Sequence, residues 1–166
     1  NISQIHQRPQ LHEGKLTLGC PARSNSSGSR KELLMWDDER HIYEWDITNE
    51  RNMTLIASFP ELSTISQIVQ FENQGIISLD AVLDVISFMY FQNGSTEVLL
   101  CRGDGCCAEY GSERCYQSNT SNIHGVTLNP QGNASVYFSD QTTVKRFHIT
   151  SSPIQPELVV DLFDHV

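Results

Sequence analysis

Short apolar runs recur along the chain, each alternating with polar positions and each closed by turn-forming residues. "LMWDDERHIYEWDI" (34–47) lies over "VYFSDQTTVKRFHI" (136–149) without a gap. Leu34 meets Val136, Trp36 meets Phe138, Asp38 meets Asp140, Ile42 meets Val144, Trp45 meets Phe147 and Ile47 meets Ile149. Alternation with period two marks half-buried strands, and the Asp at the first strand's end can accept the turn's own amides. The pattern predicts strand, tight turn, strand. "IISLDAVLDVISFMYF" (76–91) is a third copy, with Asp80 followed by Val85, Phe88 and Tyr90 after one extra residue. Two copies are preceded by a further apolar strand, "ISQIVQF" (65–71) and "IHGVTLN" (123–129), followed by "ENQG" and "NPQGN" respectively. Asp38 and Asp80 are 42 residues apart, Asp80 and Asp140 60. The surplus is the cysteine-rich stretch 100–118, which reads as an insertion. Little helix is expected anywhere.

A strand repeat of about 42 residues is the signature of a propeller blade. "GVTLNPQGNASVYFSDQTTVKRFHI" (125–149) and "ELLMWDDERHIYEWDI" (32–47) resemble blades of the YWTD-type β-propellers of low-density-lipoprotein-receptor-like and Ros/sevenless-like ectodomains. The naming tetrapeptide is degenerate here, as "MWDD" (35–38), "ISLD" (77–80) and "YFSD" (137–140). The resemblance implies an all-β fold of about three propeller-like blades of antiparallel strands, in a receptor ectodomain or matrix protein. Residues 1–31, with "RSNSSGSR" at 23–30, read as a glycosylated lead-in or loop, and 32–166 as the blades. Three blades leave open sheet edges, so the segment is expected to belong to a larger ring completed by more of its own chain.

Asparagine decides the compartment. Of ten Asn residues, six stand in N-x-S/T: Asn1, Asn25, Asn52, Asn93, Asn119 and Asn133. Chance placement would give about 1.7 such sites at this Ser and Thr content. The chain therefore reads as extracellular, secreted or on a cell surface, with all six as glycosylation positions. No basic n-region or apolar h-region heads it, so any signal peptide is expected to have been removed. The longest apolar stretches fall far short of the ~20 residues of a membrane-spanning helix. A formal charge of −9 with scattered Lys and Arg excludes a nucleic-acid partner.

In an oxidising compartment closely spaced cysteines are disulfide partners by default. Five cysteines leave at least one of Cys20, Cys101, Cys106, Cys107 and Cys115 free or paired outside this segment. At least one bridge is expected inside 101–115, tying Cys106 or Cys107 to Cys115 or Cys101. Neither the C-x-x-C spacing of a redox pair nor the C-x-x-C or His pattern of a zinc site is present, so no metal or other cofactor is implied.

"CRGDGCC" (101–107) carries Arg102, Gly103 and Asp104. Presented on a closed tight turn, the tripeptide could ligate an integrin, the Arg pairing with an acidic pocket and the Asp with a cation. A disulfide-tied hairpin tip of ordinary Gly-Asp-Gly turn chemistry is the plainer alternative. The 125–140 stretch is also similar to calcium-dependent propeller hydrolases of the gluconolactonase and paraoxonase type, where an Asp at the place of Asp140 can bind the metal. Calcium needs six to eight oxygens, and a turn-capping Asp repeated at 38, 80 and 140 explains all three positions together. His6, His12, His41, His124, His148 and His165 are scattered, and no Ser lies in a G-x-S-x-G elbow. The chain is therefore read as a non-enzymatic protein-binding or assembly module.

Overall fold

The computed structural model describes residues 17–21, 32–36, 41–46, 53–58, 65–71, 74–119, 122–129 and 134–165. Among these, thirteen strands form three sheets. The first sheet holds β1 (Thr17–Pro21), β2 (Glu32–Trp36), β3 (His41–Asp46) and β4 (Met53–Ser58) in chain order. The second holds β5 (Gln67–Phe71), β6 (Gly75–Asp80), β7 (Val85–Tyr90), β8 (Thr96–Arg102) and β9 (Tyr116–Ser118). β10 (Ile123–Leu128), β11 (Ser135–Asp140), β12 (Thr143–His148) and β13 (Glu157–Asp161) make the third. One short helix, α1 (Cys106–Glu109), and a 3-10 turn at Leu162–His165 complete the described elements. β1 falls inside the segment read as a lead-in and pairs antiparallel with β2.

The second sheet is buried on both faces. Ile77, Leu79, Ile86, Phe88 and Leu99 share one core with Val126, Leu128, Val136, Phe138 and Phe147 of the third sheet. Their alternate neighbours Ile76, Val85, Met89, Val98 and Cys101 turn the other way and pack with Ile42 of β3. This is why β6 reads GIISLD, buried throughout, while β11 alternates buried and half-buried positions as SVYFSD. A strand sandwiched between two layers must be apolar on both sides, whereas an outer strand needs only one. Gly75 serves this packing directly: a Cβ there would overlap the Phe88 ring and the Met89 carbonyl oxygen.

The expected ring is corrected by this arrangement. The five-stranded and four-stranded sheets contact each other face to face through one continuous core, and the described sheets neither curl nor close into radial blades. The local repeat was legible because strand–turn–strand units produce the same spacing in any stack of antiparallel meanders. The YWTD propeller resemblance, and the receptor-ectodomain scaffold inferred from it, do not survive. The propeller hydrolase falls with them, since a ring is what would supply its remaining calcium ligands.

The repeated Asp positions have a structural explanation. Asp80 ends β6, is fully buried, and its Oδ1 accepts from the amides of Val82 and Leu83, both at 3.0 Å. Asp140 ends β11 and accepts from Lys145 Nζ at 3.1 Å and from the Thr143 hydroxyl. Asp38 lies outside the described residues. The aromatic pair Phe138 and Phe147 packs in the core with ring centroids 5.9 Å apart; the side chains of Trp36 and Trp45 lie outside the described residues.

Candidate functional site

The cysteine-rich segment is not a hairpin. Strand β9 runs parallel to β8, with Leu100 opposite Tyr116 and Arg102 opposite Ser118. Parallel neighbours cannot be joined by a tight turn and require a crossover of about a dozen residues, commonly helical. Residues 103–115 make that crossover, and α1 is its helix. Gly103 and Gly105 hold φ values of 100° and 75°, left-handed conformations that side chains other than glycine adopt at a cost. The chain thereby turns sharply off β8 and enters α1 directly from Gly105.

Two disulfides staple the crossover: Cys101–Cys106 and Cys107–Cys115. The first closes a ring around Arg102, Gly103, Asp104 and Gly105; the second ties α1 to the approach to β9. The bridges touch. Cys101 Sγ lies 3.5 Å from the sulfurs of both Cys107 and Cys115, and these three sulfurs fall within 4.8 Å of one another. Such a cluster has the size of a thiolate metal site. In this pairing, however, every sulfur is spent in a disulfide, and metal ligation requires thiolates. The side chain of Cys20 lies outside the described residues.

The Arg-Gly-Asp loop is held by its own frame. Gly103 N–H donates to the Ser118 carbonyl at 3.0 Å and Cys106 N–H to the Gly103 carbonyl at 3.3 Å. Gln117 on β9 does the rest: its Oε1 accepts from Gly105 N–H at 2.7 Å and its Nε2 donates to Asp104 Oδ1 at 3.3 Å. Arg102 and Asp104 are both exposed. Arg102 leans back on buried Asp84, Nη1 to Oδ2 3.4 Å, with about half of its side chain (53%) still in solvent against 4% for Asp84. Asp84 has a positive φ of 58°, and its Oδ1 also accepts from Ile123 N–H at 2.9 Å. Through one carboxylate the loop is therefore linked to the third sheet.

Arg114, one residue before Cys115, makes the second link. Its guanidinium forms a two-pronged pair with Glu97 on β8, 2.9 Å in each arm, and donates to the carbonyls of Ile149 and Ser151 at 2.6 and 3.0 Å. Tyr90 O–H donates to the same carboxylate at 2.8 Å. Burial by itself would raise the Glu97 pKa, but the hydrogen bonds from Arg114 and Tyr90 and the Arg114 charge outweigh it and hold the carboxyl below its ordinary range. Burial, followed by the bond to Glu97, pushes the Tyr90 phenol up, and the Glu97 bond raises Arg114. Neither Asp84, Glu97, Arg114 nor Gln117 stands out in the sequence. Each gains its role from a contact between strands distant along the chain, and no periodic pattern marks such a contact.

Of the six sequon residues, Asn93 and Asn119 are described and both are exposed. The Asn93 side-chain oxygen accepts from the amide and hydroxyl of Ser95 at 2.9 and 2.7 Å, closing a turn at the tip of the β7–β8 hairpin. Asn1, Asn25, Asn52 and Asn133 lie outside the described residues. Among the described residues no helix is long and apolar enough to cross a membrane.

No protein-family profile matches the chain. No curated protein matches it either. Among solved structures, a chain of the nidogen/laminin complex superposes with a TM-score of 0.57 at 14% identity, over 88% of this chain and 48% of that one. The WD40 domain of SCAP from fission yeast gives 0.46 at 13% identity, over 93% of this chain and 34% of that one, too low to imply a shared fold. The chain thus spans about half of the first structure and a third of the second. What is shared with the nidogen/laminin chain is an all-β arrangement of packed antiparallel sheets.

Proposed function

We propose that the chain is an extracellular, glycosylated, disulfide-stabilised all-β module that binds another protein through the loop 101–107, without covalent chemistry. One observation carries the reading: two disulfides, two left-handed glycines and the Gln117 side chain fix an exposed Arg-Gly-Asp tripeptide at the end of β8, whose middle is buried in the core. A loop ordered before binding loses less entropy when a partner arrives. Exposed Asn93 and Asn119 accord with a secreted glycoprotein, and the likeness to a chain of the nidogen/laminin complex accords with a module that binds another protein.

An integrin is the partner class that the tripeptide itself favours. The Arg102–Asp84 pair does not stand in the way, because it is a single contact of 3.4 Å from a half-exposed arginine, and buried Asp84 keeps the Ile123 amide when Arg102 turns outward. Integrin-expressing cells should adhere to the immobilised protein in the presence of divalent cations. Asp104→Glu, which keeps the charge but lengthens the arm, should abolish adhesion, and Glu109→Asp should leave it intact. Equal adhesion to wild type and Asp104→Glu would remove the integrin from the account.

A further inference from the structure

The contact between the two bridges has chemical consequences. We propose that Cys101, Cys106, Cys107 and Cys115 form a thiol–disulfide exchange centre on which a small external thiol acts. The centre interconverts the Cys101–Cys106/Cys107–Cys115 pairing with a Cys101–Cys107/Cys106–Cys115 pairing. Exchange proceeds by attack of a thiolate on a neighbouring disulfide sulfur, so it needs a sulfur within reach and a point of entry. Both are present. Cys101 and Cys106 are buried, whereas Cys107 and Cys115 are partly exposed and open to solvent thiols. Cys101 Sγ is already at 3.5 Å from Cys107 Sγ.

The sequence of steps conserves atoms and electrons. An external thiolate attacks Cys115 Sγ; a mixed disulfide forms and the Cys107–Cys115 bond breaks, leaving the Cys107 thiolate. That thiolate attacks Cys101 Sγ, making Cys101–Cys107 and expelling the Cys106 thiolate. Cys106 then attacks Cys115 Sγ in the mixed disulfide, forming Cys106–Cys115 and returning the external thiol unchanged. Two disulfides enter and two leave, so the thiol acts catalytically and neither oxidant nor reductant is consumed. The third pairing, Cys106–Cys107 with Cys101–Cys115, is disfavoured because adjacent residues hold their Cα atoms ~3.8 Å apart, below the ~4.4 Å that a disulfide needs. The product ring encloses one residue more than the starting ring, so Arg102 and Asp104 are presented in a larger, looser loop.

The test maps bridges in the whole chain. Wild-type protein is incubated with reduced glutathione well below its own concentration, quenched in acid, digested and read by fragmentation between Cys106 and Cys107. The second pairing should appear in the bridge map while circular dichroism stays native. In Cys115→Ser, the odd thiol should distribute, with alkylating label found on both Cys106 and Cys107. Should that variant fail to fold, the wild-type experiment decides alone. Wild-type pairing unchanged by glutathione, or label confined to Cys107 in a folded Cys115→Ser, would overturn the proposal.

Discussion

Two arginines pair the cysteine-rich loop with carboxylates elsewhere in the protein, and their strengths differ for physical reasons. Arg114 is enclosed and fourfold bonded, to two carboxylate oxygens and two carbonyls. Arg102 is half in water and singly paired. Arg114→Ala should therefore lower stability by roughly 1–2 kcal/mol, since it leaves part-buried acceptors without a charged donor. Asp104→Ala should change it by less than about 0.5 kcal/mol, and Arg102→Ala, which takes one donor from buried Asp84, by about 1 kcal/mol. Denaturant midpoints of the three variants check the ordering. Glu97 adds a pH dependence. Its folded pKa lies below the ordinary 4.5, so its contribution is fully present above that value and fades as the pH falls through the lower folded one. The difference in melting temperature between wild type and Glu97→Gln should be constant from neutral pH to about 5 and shrink below 4.5. A difference that grows on acidification would contradict the pairing.

At the scale of elements, legibility in the sequence followed locality. Strands β6, β7, β11 and β12 were readable from their short apolar runs and from Asp80 and Asp140 at the turns, because both signals are contained in a dozen residues. The crossover was not. β8 and β9 pair in parallel through 103–115, and "CRGDGCC" carries the same turn residues whether it caps a hairpin or launches a helix. Nor could the alternating pattern tell how the sheets would assemble, since an outward face that meets another sheet and one that meets a neighbouring blade require the same apolar residues. The continuous burial of β6 and β7 was the available clue to a central layer. Each staple now has a separate expected effect. Replacing Cys107 and Cys115 together by Ser should cost about 2–3 kcal/mol, the loop-closure entropy of a short ring, with the strands of the third sheet intact. Loss of the whole fold in that double variant would show that the crossover supports the core and does not simply rest upon it.

For the whole molecule, a stack of sheets with one face of the central layer turned to each neighbour explains how so short a chain presents a stiff loop. The second sheet is the anvil: β6 and β7 are buried from both sides, β8 extends from them, and the crossover is anchored to β8 by the Cys101–Cys106 bridge and by Ser112 Oγ–H donating to the Val98 carbonyl at 2.6 Å. Asp84 and Arg114 then fasten it to the third sheet. The central claim is that the Arg-Gly-Asp loop is ordered before any partner binds. Amide hydrogen exchange of the isolated protein tests it most directly, because Gly103, Gly105 and Cys106 each donate to a named acceptor. These three amides should exchange slowly, as those of β8 do, and should become fast when the disulfides are reduced while β6 and β7 stay protected. Free exchange at Gly103, Gly105 and Cys106 in the oxidised native protein would contradict the account.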